Sequence, residues 1–230
     1  MPSILALDTA TEACSVALLY GDRLHERHAP APRQHAEKVL PWIDELLAEA
    51  GIGKTQIDAI AVGRGPGGFT GVRLAVAVAQ GLAFALDKPL LAVSTLAALA
   101  FEAGGQAGDH VLAALDARMG ELYLGAFVIA ADRLPQPIGG EWMAAPDQVE
   151  PPLPGPWIGV GSGFAAASAA LVERLGARLT RFDAAALPRA GAIARLAARD
   201  WPQGGIAPAQ LEPAYLRDKV AQTLAERGIG

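Results

Sequence analysis

The sequence is poor in the residues that build metal centres and disulfide frameworks. It contains one cysteine and four histidines among 230 residues. Cys14 has no second cysteine with which to form an internal disulfide. No two histidines have the i, i+4 spacing that brings imidazoles to one face of a helix. We therefore predict a protein without a bound metal and without a cofactor.

Charged side chains are also scarce, and acidic ones outnumber basic ones. Charged residues make up 19% of the chain, and the formal net charge is -5. A protein of this charge lacks the overall positive surface that binds a nucleic acid backbone, so we expect no such binding by the chain alone. Hydrophobic residues make up 52% of the chain, which permits a substantial core and argues against general disorder.

No segment is predicted to span a membrane. The longest apolar helix in the pattern, Val72 to Leu86, is shorter than the ~20 residues that a span requires, and it carries Arg73 and Gln80. The N-terminus shows no charged region followed by an apolar one, as a signal peptide would. These features predict a cytoplasmic protein that does not associate with membranes.

The glycine-rich loop "GRGPGGFTG" lacks the lysine of a nucleotide-binding P-loop. No Lys followed by Ser or Thr comes after its glycines, so the loop is not a Walker site. Thr70 is predicted to cap the helix that follows. Ser162, in "GSG", lacks the strand-elbow-helix context of a catalytic serine. For the glycine-rich loop, a structural or protein-contact role is favoured over catalysis.

The predicted elements follow one another as two related α/β units. The first has strands at "SILALDT", "ACSVALLYG" and "RLHERHAP", then a helix from His35 to Ala50 and two strand-helix pairs. The second begins after the break "GGQAGD" with strands at "VLAALDA" and "ELYLGAFVIA". We predict domains at 1–104 and 105–206, and we consider that the tail, 207–230, packs back on the first domain.

Asp8 and Asp116 each end the first strand of a unit. Actin-like and sugar-kinase ATPases use this arrangement to hold phosphates and a magnesium ion between two lobes. With Thr9, and with Gly161 in the loop "GVGSG", these residues define a candidate nucleotide cleft. The alternative is that each Asp only caps its own turn through its side chain, as Asp does in many hairpins.

The helix after Thr70 carries apolar residues on two opposite sides. A helix that lies on a sheet needs only one apolar side, so the other must be covered by another element or by another chain. The pattern does not decide which side faces the core. One stripe contains Leu74, Val78, Gly81 and Ala85, and the opposite stripe contains Val72, Val76, Ala79 and Ala83.

Five stretches together span most of the chain: "LALDTATEACSVAL", "QHAEKVLPWIDELL", "GRGPGGFTGVRLAVAVAQGLAFALDKPLLAVSTLAALA", "DARMGELYLGAF" and "PAYLR". They resemble the TsaB (YeaZ) family of bacterial tRNA threonylcarbamoyladenosine biosynthesis proteins. The resemblance implies a two-lobed actin-like (ASKHA, ribonuclease H-like) α/β fold with two related βββαβα-type domains. It also implies a role in threonylcarbamoyl transfer to the adenosine beside the anticodon of certain tRNAs.

The resemblance further implies that the chain is a non-catalytic subunit. The catalytic relative, TsaD, holds a metal through an HxxxH pair and a late Asp, and this sequence has neither at the matching positions. The implied partners are TsaD in a heterodimer, the ATPase TsaE, a second copy when TsaD is absent, and tRNA through the complex rather than alone. One alternative is an actin-like ATPase or glycoprotease-like peptidase active on its own. Another is a sugar-kinase-like pair of lobes outside tRNA modification.

The expected partner surface combines the two helices of the first unit. Small residues on the second helix would let a partner helix approach closely, and the helix from His35 would widen the contact. The residues predicted to bind the partner are His35, Leu40, Phe69, Val72, Arg73, Val76, Val78, Ala79, Gly81 and Ala83.

Overall fold

The computed structural model describes residues 2–217, and its first sheet has five strands in the order β3-β2-β1-β4-β5. The strands are β1 (Ile4–Asp8), β2 (Ala13–Tyr20), β3 (Arg23–Pro30), β4 (Ala59–Gly63) and β5 (Leu90–Val93). β1, β2 and β3 are antiparallel, whereas β4 and β5 run parallel to β1. All residues of β1 and β4 are buried, as expected for central strands that are covered on both faces.

The second sheet repeats this topology. Its strands are β6 (His110–Asp116), β7 (Leu122–Ile129), β8 (Pro135–Pro137), β9 (Trp142–Ala144), β10 (Trp157–Val160) and β11 (Leu179–Asp183). Its order is β8-β7-β6-β10-β11, which matches that of the first sheet. Antiparallel strands lie on one side of β6 and parallel strands on the other. The short strand β9 is a further antiparallel partner of β7. The predicted fold class, a two-lobed actin-like α/β fold, is confirmed.

Five helices cover the sheets in the described part of the chain. They are α1 (His35–Ala50), α2 (Phe69–Leu86), α3 (Thr95–Glu102), α4 (Ala170–Leu175) and α5 (Ala190–Asp200). The first two pack on one face of the first sheet, and α5 packs on its other face. The third helix contacts α5 and packs on the second sheet, so α3 and α5 lie between the two sheets.

The lobe boundary at 104/105 stays a prediction. It falls between α3 and β6, yet α5 contacts the first sheet although it belongs to the stretch expected in the second domain. The chain after α5 also contacts the first sheet, because Leu211 is buried in the core that α1 and α2 cover. The rest of the tail, 218–230, lies outside the described residues.

The second helix begins earlier than its sequence pattern predicts. It starts at Phe69, after Gly68 in an extended conformation, so the prediction of Thr70 as its cap is wrong. The added turn makes α2 the one helix in residues 2–217 that is long and apolar enough to cross a membrane by length and composition. Core helices of soluble proteins pass the same test, and one side of α2 packs on the first sheet.

Candidate functional site: an uncovered helix face and two capped turns

One stripe of α2 faces the first sheet. Val72, Val76, Ala79 and Ala83 are between 0 and 6% exposed, because they pack against the chain's own core. We expected these four residues in the partner surface; in the described chain they pack on its own core, and their part in partner binding stays a prediction. They hold the helix on the sheet, so the stripe that contains Val72 and Val76 is the inner one.

The opposite stripe of α2 faces outward and is apolar. Gly81 and Ala85 are exposed, and Val78 is half-buried. Phe84, which we did not single out from the sequence, is 83% exposed and is among the most exposed large apolar side chains of the described residues. An apolar helix face of this kind, left uncovered by the described chain, is typical of a protein-contact surface.

The first helix presents a smaller apolar contribution. Leu40 is 50% exposed, whereas Val39 and Ile43 are buried in the core beneath it. His35, at the start of α1, has a ring nitrogen 3.1 Å from the backbone oxygen of Thr11. This contact joins the helix start to the turn between β1 and β2. In the free chain, His35 therefore anchors α1, and Leu40 is the α1 residue of the predicted set that extends into solvent.

A half-buried arginine and two exposed aromatic side chains stack at the N-terminal end of α2. The Arg73 guanidinium carbon is 3.2 Å from the centre of the Phe69 ring and 5.3 Å from that of Tyr215. Phe69 is 60% exposed and Tyr215 58% exposed. The sequence motif "PAYLR" contains Tyr215, but nothing in the local pattern indicates that this tyrosine meets α2, because the contact joins distant parts of the chain.

The carboxylate of Asp8 is closed off from solvent. Asp8 is 1% exposed, and its Oδ1 accepts a hydrogen bond from the backbone N–H of Ala10 at 2.8 Å. The Thr95 hydroxyl donates to its other oxygen at 3.2 Å. A Cβ at Gly63 would overlap this carboxylate. Burial raises the pKa of Asp8 to about 7, and the two hydrogen bonds partly offset the rise.

The glycine-rich loop packs directly on the turn after β1. The backbone N–H of Gly68 donates to the carbonyl of Ala10 at 2.7 Å, and the Thr9 hydroxyl donates to the carbonyl of Gly71 at 2.7 Å. Side chains at Gly67 or Gly71 would overlap the backbone of Ala10 or Thr9. The absence of side chains at these glycines thus lets the two backbone segments approach closely. As a result, protein atoms fill the space beside Asp8 and Thr9.

Asp116 repeats the local geometry of Asp8 at the end of β6. Its Oδ1 accepts from the backbone N–H of Arg118 at 2.8 Å, and its Oδ2 pairs with the Arg118 guanidinium at 3.0 Å. Gly161 lies close by, since the Asp116 N–H donates to the hydroxyl of Ser162 at 3.1 Å. Both Asp residues therefore cap the turn that follows their strand, which was the alternative reading of the sequence.

The second turn borders an open cleft, whereas Asp8 is enclosed. The cleft has a volume of about 290 Å³, and its lining includes Asp116, Arg118, Met119 and Ala167. No group of three or more His, Cys, Asp or Glu side chains within residues 2–217 is placed to hold a metal ion. A nucleotide cleft formed by Asp8, Thr9, Asp116 and Gly161 stays a prediction.

A charged cluster ties β3 to α5. Glu26 accepts from the Arg189 Nε at 3.0 Å and from the backbone N–H of Gly191 at 2.8 Å, at the first turn of α5. A carboxylate is favourable there because it meets the positive end of the helix dipole. Burial raises the pKa of the nearby Glu102 to about 7, although Arg189 opposes the rise. This cluster is a structural joint between elements.

Comparison with known proteins places the chain in a family. A family model described as "TsaD: tRNA N6-adenosine threonylcarbamoyltransferase" matches residues 29–223. The Haemophilus influenzae "tRNA threonylcarbamoyladenosine biosynthesis protein TsaB" is 52% identical over 130 residues, covering 55% of this chain and 54% of that protein. The chain spans about half the length of the curated relatives it matches.

Two solved structures match much more of the chain. "YeaZ from Pseudomonas aeruginosa" is 45% identical, with a TM-score of 0.86, over 94% of this chain and 100% of that one. A second structure, described as an uncharacterized protein with similarity to peptidase YeaZ from the same organism, is 44% identical, with a TM-score of 0.87, over the same shares.

The repeated sheet topology and the two capped strand ends define the class of this protein, a two-lobed α/β protein of actin-like fold. Within that class, the match to YeaZ over the full length of that structure is the most informative. The chain belongs to the TsaB (YeaZ) family, which the TsaD family model also recognises.

Proposed function

We propose that this chain is a non-catalytic subunit required for transfer of the threonylcarbamoyl group to the adenosine beside the anticodon of tRNAs. It acts as the heterodimer partner of TsaD, together with TsaE, and it reaches tRNA through the complex. When TsaD is absent, it forms a homodimer through the same surface. The observation that carries this proposal is the uncovered apolar face of α2.

The shape of α2 supports a helix-to-helix contact. Gly81 is exposed and has no atom within 4 Å of where its Cβ would lie, so another helix can approach the backbone there. Phe84 and Leu40 are large apolar side chains left in solvent beside it. Covering α2 and part of α1 would contribute toward the ~800 Å² per partner of a standard interface.

The interior of the first lobe supports a binding role over catalysis. Asp8 is buried, and its carboxyl group is hydrogen-bonded within the chain. Because burial raises its pKa, Asp8 is protonated to a greater extent than an exposed aspartate at the same pH. Both oxygens of the enclosed carboxyl group already accept hydrogen bonds from Ala10 and Thr95, so neither is free to coordinate magnesium as an exposed carboxylate would. The described histidines and carboxylates do not converge to form a metal site either.

A reconstituted modification assay tests this proposal. TsaD and TsaE proteins from the same organism would be incubated with unmodified tRNA, an activated threonylcarbamoyl donor and ATP, with and without this chain. We expect modified adenosine only when the chain is present, and co-purification of the chain with TsaD. Equal modification without the chain, or failure to co-purify, would contradict the proposed role.

The second candidate is an enzyme that acts on its own, either a peptidase or an ATPase. It is favoured by the 44% identical structure whose description mentions a peptidase. The purified chain, assayed with casein-derived peptides and separately with Mg-ATP, should show turnover if this candidate is correct. The subunit proposal predicts rates equal to those of heat-inactivated protein.

Two further proposals follow from membership of this family. We assign residues 1–104 and 105–206 to the two actin-like lobes, with the tail returning to the first. We also propose that the protein works in the cytoplasm, together with TsaD and the tRNA that the complex modifies. Limited proteolysis would test the division, which predicts that cleavage near Gly104 and Gly105 gives the fragments 1–104 and 105–230.

A further inference from the structure

The segment after α5 crosses from the first sheet toward the second. Ile206 pairs with Leu90 at the edge of the first sheet, through two backbone hydrogen bonds of 3.0 and 2.9 Å. Five residues later, Leu211 is 3% exposed and lies in the core beneath α1 and α2. The first half of this segment, residues 206–211, is thus held by the first lobe.

The same segment lies along the side of α2. The Gln80 side-chain amide donates to the carbonyl of Pro208 at 2.9 Å and to that of Leu211 at 3.2 Å. Both NH₂ hydrogens of Gln80 can serve these bonds, which makes it a two-point clamp between helix and segment. Further along, Tyr215 meets Arg73 on α2.

The far end of the segment is held by the turn between β6 and β7. The Arg217 guanidinium donates to the backbone oxygen of Ala117 at 3.2 Å and to the Glu121 carboxylate at 2.8 Å. Between these two anchor points, Arg118 and Met119 have φ values of 63° and 56°. Left-handed backbone at two consecutive non-glycine residues is costly and persists only where the surroundings hold it.

We infer that residues 206–217 form a strap that couples the side of α2 to the β6–β7 turn of the second lobe. Gln80 clamps the first half of the strap and Arg217 fixes its far end. Between them, the backbone N–H of Ala214 donates to the carbonyl of Arg64 at 2.8 Å. Loosening the strap at α2 therefore loosens the turn. The coupling belongs to the isolated chain, so it stands or fails separately from the proposed role of α2 in binding TsaD.

Amide hydrogen exchange on the purified chain tests this coupling. Gln80→Leu removes the clamp at α2 without touching the turn, and Arg217→Ala removes the anchor at the turn. The reporters are the amides of Ala117 and Glu121, which are hydrogen-bonded within the turn at 2.9 and 3.1 Å. We expect Gln80→Leu to speed their exchange roughly tenfold or more, in the same direction as Arg217→Ala, because both variants open the strap.

The controls separate coupling from general destabilisation. Ala85→Gln changes an exposed α2 residue on the outward stripe and should leave the turn amides unchanged. If Gln80→Leu lowers the midpoint of thermal unfolding by more than a few degrees, Gln80→Asn is used, since its shorter amide also loses both bonds. Faster exchange confined to residues 207–212, with Ala117 and Glu121 unchanged in both Gln80 variants, would overturn the inference.

Discussion

The carboxylate of Asp8 lies against Gly63, in the space that a Cβ at that position would fill. The close approach lets Asp8 accept hydrogen bonds from Ala10 and Thr95 while remaining fully buried. A residue that could have faced a nucleotide instead joins β1, β4 and the start of α3.

The stability contributed by Asp8 should depend on pH. Its pKa is raised from 3.8 to about 7 in the folded chain, so the folded state holds a proton that the unfolded chain has already released. This contribution is complete below the unfolded pKa and is lost as pH rises through the folded value, by up to ~1.4 kcal/mol per pH unit between the two.

Urea unfolding at several pH values checks this prediction, with Asp8→Asn as the comparison. The asparagine is uncharged at every pH, so its stability relative to the wild type should rise as pH increases. Asp8→Ala should instead be less stable by ~1–3 kcal/mol at low pH, because Thr95 and Ala10 lose their acceptor. Identical pH profiles for wild type and Asp8→Asn would contradict the raised pKa.

Two glycine substitutions should have opposite effects on folding. Gly63→Ala places a methyl group on the Asp8 carboxylate and should destabilise the chain by ~1–3 kcal/mol or more. Gly81→Ala lies on the outward face of α2 with nothing within 4 Å, so it should stabilise the helix by ~0.5–1 kcal/mol. Thermal unfolding of both variants, compared with the wild type, measures these changes in stability. A Gly63→Ala variant as stable as the wild type would show that the contact is easily relieved.

Asp116→Ala should leave tRNA modification by the complete system nearly unchanged. Its carboxylate caps the β6–β7 turn and pairs with Arg118, which is itself exposed to solvent, so little beyond local order depends on it. Initial rates of modification at matched protein concentrations provide the measurement. A hundred-fold fall with unchanged stability and unchanged TsaD binding would indicate a nucleotide site in the second lobe.

Purified chain should contain no tightly held zinc or iron. The described His, Cys, Asp and Glu side chains do not form a cluster of three, and a metal site needs at least that many converging ligands. Elemental analysis after dialysis against a chelator measures this directly. A stoichiometric metal that survives the chelator would mean that ligands from outside residues 2–217, or from a second copy, complete a site.

The sequence was most informative where burial enforces a pattern. The apolar runs of β1 and β4 and the spacing of Val39, Ile43 and Leu46 in α1 predicted these elements correctly. By contrast, β11 was missed, because most of its residues are exposed and no alternation marks it.

Helix ends and long-range contacts were harder to predict. The fourth helix begins only at Ala170, because Ala167 and Ser168 before it have left-handed backbone that composition does not reveal. The two stripes of α2 are equally apolar, so only the position of the helix on the sheet separates them. Likewise, Tyr215 contacts Arg73 of α2 only because the fold brings these distant parts of the chain together, so no local sequence pattern predicts the contact.

The central claim is that the outward face of α2 binds TsaD, and four arginine substitutions test it most directly. Val76 is 6% exposed, so Val76→Arg buries an unpaired charge and should unfold the chain. Val78→Arg changes a half-buried residue that also packs on the core beneath α2, and Phe84→Arg changes an exposed one. A long arginine side chain can extend from either position into solvent, so both variants should stay folded. Phe182→Arg, at an exposed aromatic on β11 of the second sheet, is the matched control.

The deciding measurement is the dissociation constant for TsaD of each folded variant, determined by isothermal titration calorimetry. We expect Val78→Arg and Phe84→Arg to bind at least ~100-fold more weakly than wild type, equivalent to ~2.7 kcal/mol, and Phe182→Arg to bind normally. Wild-type affinity in both outward variants would contradict the account and would place the interface elsewhere on the chain.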